Sequence, residues 1–309
     1  MKLKNFDFVG KRKLFLILSI SLLVIGFACN LIMGVELDID FKGGTLLKYS
    51  YEKTLDHGQA ETFIQEKFPN ADVDISESGE SGLKTIVVSL ADEVEVETQT
   101  KFIDDLKKKF PDNNINEIET NSLQPSYGRS FFLKCCVAIA LASVFLVIYV
   151  GLRFRKIGGF SAGVMALLAL LHDILIAYFV FVIFRIPLND NFVAVVLTIL
   201  GYSLNDTIVI YDRIRENRAK ADKKVTIGEI VNMSLSQSFG RTLNTAICTF
   251  IAIGTVAVIA LIFSMDSIVS FAVPMTFGVV SGFYSSIFLC PPLWALWVEY
   301  SEKRHPKKK

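Results

Sequence analysis

Apolar and polar positions divide the chain into six long apolar runs, one segment of mixed character and several short charged links. The runs cover 14–33 and about 131–151, 160–184, 188–211, 242–263 and 268–298. Each approaches or exceeds the ~20 residues an α-helix needs to cross hydrocarbon. The segment between the first two runs, 34–130, has the periodicities of water-soluble structure. Residues 43–51, 71–76, 83–90 and 114–120 alternate or run apolar over short stretches, as strands do. Residues 56–68 (Ala60, Phe63, Ile64, Phe68) and 96–110 (Phe102, Ile103, Leu106, Phe110) repeat at helical spacing, and 77–82 is a Ser/Gly turn. The order β-α-β-β-α-β is that of a ferredoxin-like split β-α-β unit, and a segment of this length can bury its own core. The pattern therefore predicts a multi-pass α-helical membrane protein with six transmembrane helices and an α+β ferredoxin-like domain between the first and second spans.

Charge orients that arrangement. Residues 1–13 carry Lys2, Lys4, Lys11, Arg12 and Lys13 against Asp7. Arg153, Arg155 and Lys156 follow the second run, Arg213, Arg215, Arg218, Lys220, Lys223 and Lys224 lie in 212–241, and 299–309 ends in lysines. Basic links stay cytoplasmic, so both termini are expected inside and 34–130 extracytoplasmic. In that segment acidic residues outnumber basic ones by about two to one, a segregation hidden by the net charge of +1. The content of 52% hydrophobic residues excludes an ordinary soluble protein. The first run lacks a small-x-small cleavage pattern and reads as a retained signal anchor. In the link 212–241, Ile227, Ile230, Val231 and Leu235 define an apolar face for a short helix lying on the membrane. The basic residues there have no interleaved aromatics, which excludes a nucleic-acid site. Cys29, Cys135, Cys136, Cys248 and Cys290 all sit in apolar runs without zinc-site spacing and read as apolar filler. No nucleotide-binding loop or nucleophile triad is present, and neither an enzyme nor a cofactor is expected.

Polar groups inside the apolar runs are the candidate chemistry. A carboxylate at the centre of a spanning helix costs about 2.5–3.5 kcal/mol or more. His172 and Asp173 lie in the third run; Thr198, Tyr202, Asn205 and Asp206 cluster on one side of the fourth. Ser234, Ser238, Arg241, Thr245 and Thr249 recur at helical spacing into the fifth. Counting residues from the helix ends puts Arg241 at the depth of Asp206, with Asp173 about 10 Å further out. A carboxyl alone in low dielectric holds its proton, and beside a guanidinium releases it. Asp206 and Arg241 thus form a candidate proton relay, with Thr245 and Asn205 as alternative partners for the guanidinium. His172, Asp173, Ser238 and Thr249 are either a second relay or helix contacts. Each has a plainer reading: Arg241 snorkelling from a helix end, hydroxyls bonded to the preceding turn, His172–Asp173 as an interhelical link. An intramembrane aspartyl protease built on Asp173 and Asp206 fails on the depth offset and the missing GxGD signature.

At these residues the sequence resembles the SecF family, the smaller membrane subunits of bacterial SecD–SecF protein-export complexes within the resistance-nodulation-division (RND) group. The resemblance is carried by 6–13 (FDFVGKRK), 40–45 (DFKGGT), 169–173 (ALLHD), 201–217 (GYSLNDTIVIYDRIREN), 241–245 (RTLNT) and 282–286 (GFYSS). It implies a multi-pass protein of the bacterial cytoplasmic membrane, paired with SecD and working beside the SecYEG channel and YajC. It also implies use of the proton motive force to draw a preprotein outward, with membrane lipid around it and no nucleic acid. The family's intramembrane Asp, fifth-span Arg and following Thr fall on Asp206, Arg241 and Thr245; its outer-domain start motif falls on Asp40, Phe41, Gly43 and Gly44. Ser238, Gly240 and Cys248 depart from the Thr, Ser and Thr usual there, and Met265–Asp266 replaces a Gly-rich turn. A passive assembly partner and a half-size RND exporter are the alternatives, the latter with little room for a pocket in so small an outer domain.

Overall fold

A computed structural model of the chain describes residues 6–77, 84–123, 125–222, 224–263 and 265–304. Among these residues six helices are long and apolar enough to cross a membrane, and the protein is a multi-pass membrane protein. They are α1 (Arg12–Met33), α5 (Pro125–Arg153), α6 (Gly159–Ile183), α7 (Asp190–Lys220), α8 (Ile227–Ile262) and a last span made of α9 (Asp266–Tyr284) and α10 (Cys290–Arg304). Between α1 and α5 come α2 (Ile39–Lys42), β1 (Gly44–Tyr51), α3 (His57–Lys67), β2 (Asp72–Glu77), β3 (Lys84–Leu90), α4 (Val96–Lys109) and β4 (Asn116–Leu123). Apart from Glu77, the expected turn at 77–82 lies outside the described residues, as do Lys223 and the lysines at either end of the chain.

The strands form one antiparallel sheet in the order β2-β3-β1-β4. On β1 every second side chain is buried: Leu47, Tyr49 and Tyr51 join Ile86 and Val88 of β3 beneath Ala60 and Ile64 of α3 and Phe102 and Leu106 of α4. The opposite face carries Lys48, Asp72, Asp74 and Glu119 over a cleft of about 660 Å³ whose far wall includes Asp190 and Asp266.

The joint between sheet and bundle is built by the expected start motif. Asp38 caps α2, its carboxyl accepting from Ile39 N at 2.6 Å. Phe41 is buried with Phe181 and Leu188 and meets the rings of Phe131 and Phe132. Gly43 and Gly44 take φ of 76° and 118°, values that favour glycine, and a Cβ on Gly44 would stand 2.2 Å from Leu90 O. Leu188 N donates to Glu36 O at 2.8 Å and Asp38 N to Leu188 O at 3.0 Å. Arg185 pairs with Glu36, and Lys48 with Asp266. Burial raises the carboxyl pKa values of Asp38 and Asp40, and the negative charges of Asp190 and Glu119 push in the same direction.

Two helices outrun their apolar stretches, which corrects the expected loop at 212–241. Helix α7 continues to Lys220 and α8 begins at Ile227, so only 221–226 connects them. Thr226 and Glu229 close that start as a capping box, Thr226 Oγ1 accepting from Glu229 N and Glu229 Oε2 from Thr226 N. Ile227, Ile230, Val231 and Leu235 do not lie on the membrane surface. They are buried with Phe8, Ile214 and Trp294, a cover from distant parts of the chain that helical spacing alone does not reveal. In the last span, Pro291 and Pro292 offer no N–H to the carbonyls one turn back. The helix widens there to a π-helical segment, Ser285–Leu289, with Cys290 N donating to Ser285 O.

Candidate functional site

The polar groups of the bundle fall into two places with opposite character. The first lies between α6, α7 and α9, where Asp173 is fully buried. Its Oδ2 accepts from Ser203 Oγ and Ser285 Oγ, each at 2.7 Å, and its Oδ1 from Ser281 Oγ at 2.6 Å. His172 Nδ1 stands 3.2 Å from Oδ1, while His172 Nε2 is buried with no hydrogen-bond partner. Ser286 extends the network: its Oγ is 3.4 Å from Ser203 Oγ and 3.0 Å from Thr207 Oγ1, and donates to Ser203 O at 3.0 Å. Close helix approach permits this, since a Cβ on Gly282 would stand 3.2 Å from Ser203 Cβ.

The second place is the seam between α7 and α8. Asn217 Nδ2 donates to Ser234 Oγ and Gln237 Oε1, and Arg213 Nε to Gln237 Oε1. Continuing that antiparallel register brings Arg241 opposite Val209 and Thr245 opposite Asp206. Arg241 and Val209 line one open groove of about 590 Å³. Asp206 is 3% exposed, and its Oδ2 has no hydrogen-bond partner. Thr242 Oγ1, on the facing stretch of α8, is buried and likewise unpartnered.

The predicted Asp206–Arg241 ion pair is not closed in this structure. Among the described residues Arg241 makes no ion pair, and its positive charge acts on the Asp206 carboxyl. The carboxylates beside it in the groove are taken: Asp212 by Arg153 and Arg215, Glu216 by Arg213 and Lys220. Asn205 and Thr245 are exposed on the same side, and Ser238 lines the groove. The hydroxyls of Thr245 and Thr249 donate to the carbonyls of Arg241 and Thr245, the plainer of their two readings. His172 and Asp173 are brought together, and bind α6 to α7 and α9.

Sequence reasoning missed Ser203, Ser281, Ser285, Ser286 and Thr207 as members of the site. The available signal was the polar side of the last span, where Ser281 and Ser285 are four residues apart with Ser286 beside them.

A six-span bundle with buried carboxyls and a small sheet domain after its first span defines a class of integral membrane proteins, and comparison with known proteins narrows it. The family described as protein export membrane protein SecD/SecF, C-terminal, matches residues 102–300. The protein translocase subunit SecF of Petrotoga mobilis is 33% identical over 94% of this chain and 95% of its own length. The protein translocase subunit SecDF of Bacillus subtilis is 31% identical over 95% of this chain and 38% of its own. In structure, SecDF of Thermus thermophilus, a translocon-associated membrane protein, superposes with a TM-score of 0.80 at 24% identity, over 97% of this chain and 40% of that one. The chain belongs to the SecD/SecF family of protein-export membrane proteins, as the motifs from 6–13 to 282–286 led one to expect. Membership gives it an accessory role in Sec-dependent protein translocation.

Proposed function

We propose that this chain is the SecF-type subunit of a SecD–SecF complex and couples proton movement to late steps of protein translocation, without enzymatic chemistry of its own. The observation that carries the reading is Asp206: nearly fully buried, with an oxygen that no donor among the described residues satisfies, within electrostatic reach of Arg241, which lines an open groove. A carboxyl so placed cannot stay charged without a partner. Moving α8 against α7 so that Arg241 closes on Asp206 would exchange a proton for an ion pair. Each proton crossing the membrane supplies about 2.3 kcal/mol per 100 mV, enough to bias two helix positions that differ in proton affinity.

In this reading the 221–226 link and both termini are cytoplasmic, because the basic residues gather there. The sheet domain, of ferredoxin-like type by its strand order, lies outside the membrane and meets the emerging preprotein. SecD is the direct partner, with SecYEG and YajC beyond it. The passive-partner alternative is favoured by the bonding of Thr245 and Thr249 to their own helix.

The test is Asp206→Asn in cells depleted of the native copy. Export of a secreted precursor is followed together with membrane insertion and co-purification with SecD. Lost proton-driven export with normal assembly is expected. Normal export would remove Asp206 from the relay and leave the passive reading.

A further inference from the structure

The Asp173 cage has chemistry that the relay does not use. We propose that Asp173 is a second proton-exchanging carboxyl, enclosed by serine hydroxyls and seated on the π-helical break of the last span.

The argument starts from donors and acceptors. An ionised carboxylate only accepts, and Ser203, Ser281 and Ser285 supply three donors at 2.6–2.7 Å, with His172 Nδ1 as a fourth at 3.2 Å. A protonated carboxyl needs one acceptor instead. Ser285 can become it without moving a heavy atom. Its own hydrogen has a second target in Gly282 O at 3.3 Å, which frees Ser285 Oγ to accept from the acid O–H. The cage therefore has a complete hydrogen-bond register for each state. Serine hydroxyls, unlike backbone N–H groups, rotate between the two.

The surroundings make a permanently charged Asp173 difficult to hold. Among the described residues no Lys or Arg pairs with it, and its single basic neighbour is His172. Were His172 positively charged, its Nε2–H would be buried without an acceptor. Titratable groups near the cage include Tyr284 of α9, whose ring lies 6.1 Å from that of His172, Cys290 of α10, hydrogen-bonded to Tyr211 of α7 at 3.2 Å, and Asp206 of α7, next in sequence to Thr207. On α5, Cys135 is buried at the Phe41 joint and Arg153 is held by Asp212.

Two features connect the site to its surroundings. From Asp173 Oδ2 the hydroxyls of Ser203, Ser286 and Thr207 follow in steps of 2.7, 3.4 and 3.0 Å, ending on the residue after Asp206. Ser285 and Ser286 open the π segment, a kind of irregularity that recurs at functional sites and hinges. Proton occupancy of Asp173 thus decides which way Ser285 points at the point where the last span is least regular.

Infrared difference spectroscopy of the full chain, reconstituted in lipid with its partner subunit, tests this with the aspartates of this chain isotope-labelled. The expected result is a protonated-carboxyl C=O band that is lost in Asp173→Asn and survives in Asp206→Asn. In Ser281→Ala, which keeps the carboxyl, the band moves to higher wavenumber because Oδ1 has lost a donor. The proposal is overturned if no band responds to Asp173→Asn, or if Ser281→Ala leaves the spectrum unchanged. A band removed by Asp206→Asn alone would support the relay and dismiss the second site.

Discussion

Asp173 and Asp206 are the same residue in opposite settings. One is surrounded by donors, and the other has a buried oxygen that nothing satisfies. Outside the membrane, Asp7 shows how few contacts make a carboxyl structural. It accepts from Gly10 N and Asn232 Nδ2, each at 2.7 Å, and these bonds, the one from Gly10 first, lower its pKa. Asn232 Oδ1 in turn accepts from Val9 N at 3.0 Å, which seats buried Phe8 against the bundle. For an acid with a depressed pKa, the stabilisation is present above the ordinary value of 3.8 and fades as pH falls through the lower folded value. Protection of the Val9 and Gly10 amides, taken as exchange relative to the intrinsic rate at each pH, should therefore be high at neutral pH and fall on acidification below about 4, and in Asp7→Asn it should be low at both. Asp206 and Arg241 were legible in the sequence because a charge in an apolar run stands out. The serines around Asp173 were not, because isolated serines in spans usually bond their own preceding turn. Only the packing of three helices shows where these point.

At the scale of elements, the bundle depends on helices that approach closely at glycine. Gly282 of α9 faces Ser203 of α7 at the cage, whereas a Cβ on Gly254 of α8 would meet nothing within 4 Å. Gly282→Ala should lower the stability of the purified protein by about 1–3 kcal/mol through overpacking. Gly254→Ala should raise it by up to about 1 kcal/mol by restoring helix propensity. Thermal unfolding in the same detergent would compare them, and equal shifts of the same sign would contradict the packing described. The strands, their order along the chain and the six spans could be read from periodicity. The ends of α7 and α8 could not, because charged residues on their extensions looked like a loop. The extensions are stable as helix because Asn217, Arg213, Ser234 and Gln237 bond across the seam and the apolar face of α8 is covered by Phe8, Val9 and α10.

For the whole molecule, burial is uneven. Helices α6 and α7 are about half buried, whereas α1, α5 and α8 are mostly exposed, as befits lipid-facing and partner-facing surfaces. On α5 that exposure is apolar. On the α7–α8 side it includes Asn205, Arg241, Asn244 and Thr245. Hydrocarbon is a poor solvent for an amide and a guanidinium. Alone in the membrane, the chain exposes them on this face. An exposed polar stripe of this kind is a mark that a quality-control protease could read, which would let subunit ratio be set by degradation rather than by synthesis. In a pulse–chase experiment the chain should be short-lived without SecD. Arg241→Leu should lengthen that life while abolishing export, and a lifetime indifferent to both changes would show that the stripe is tolerated by lipid.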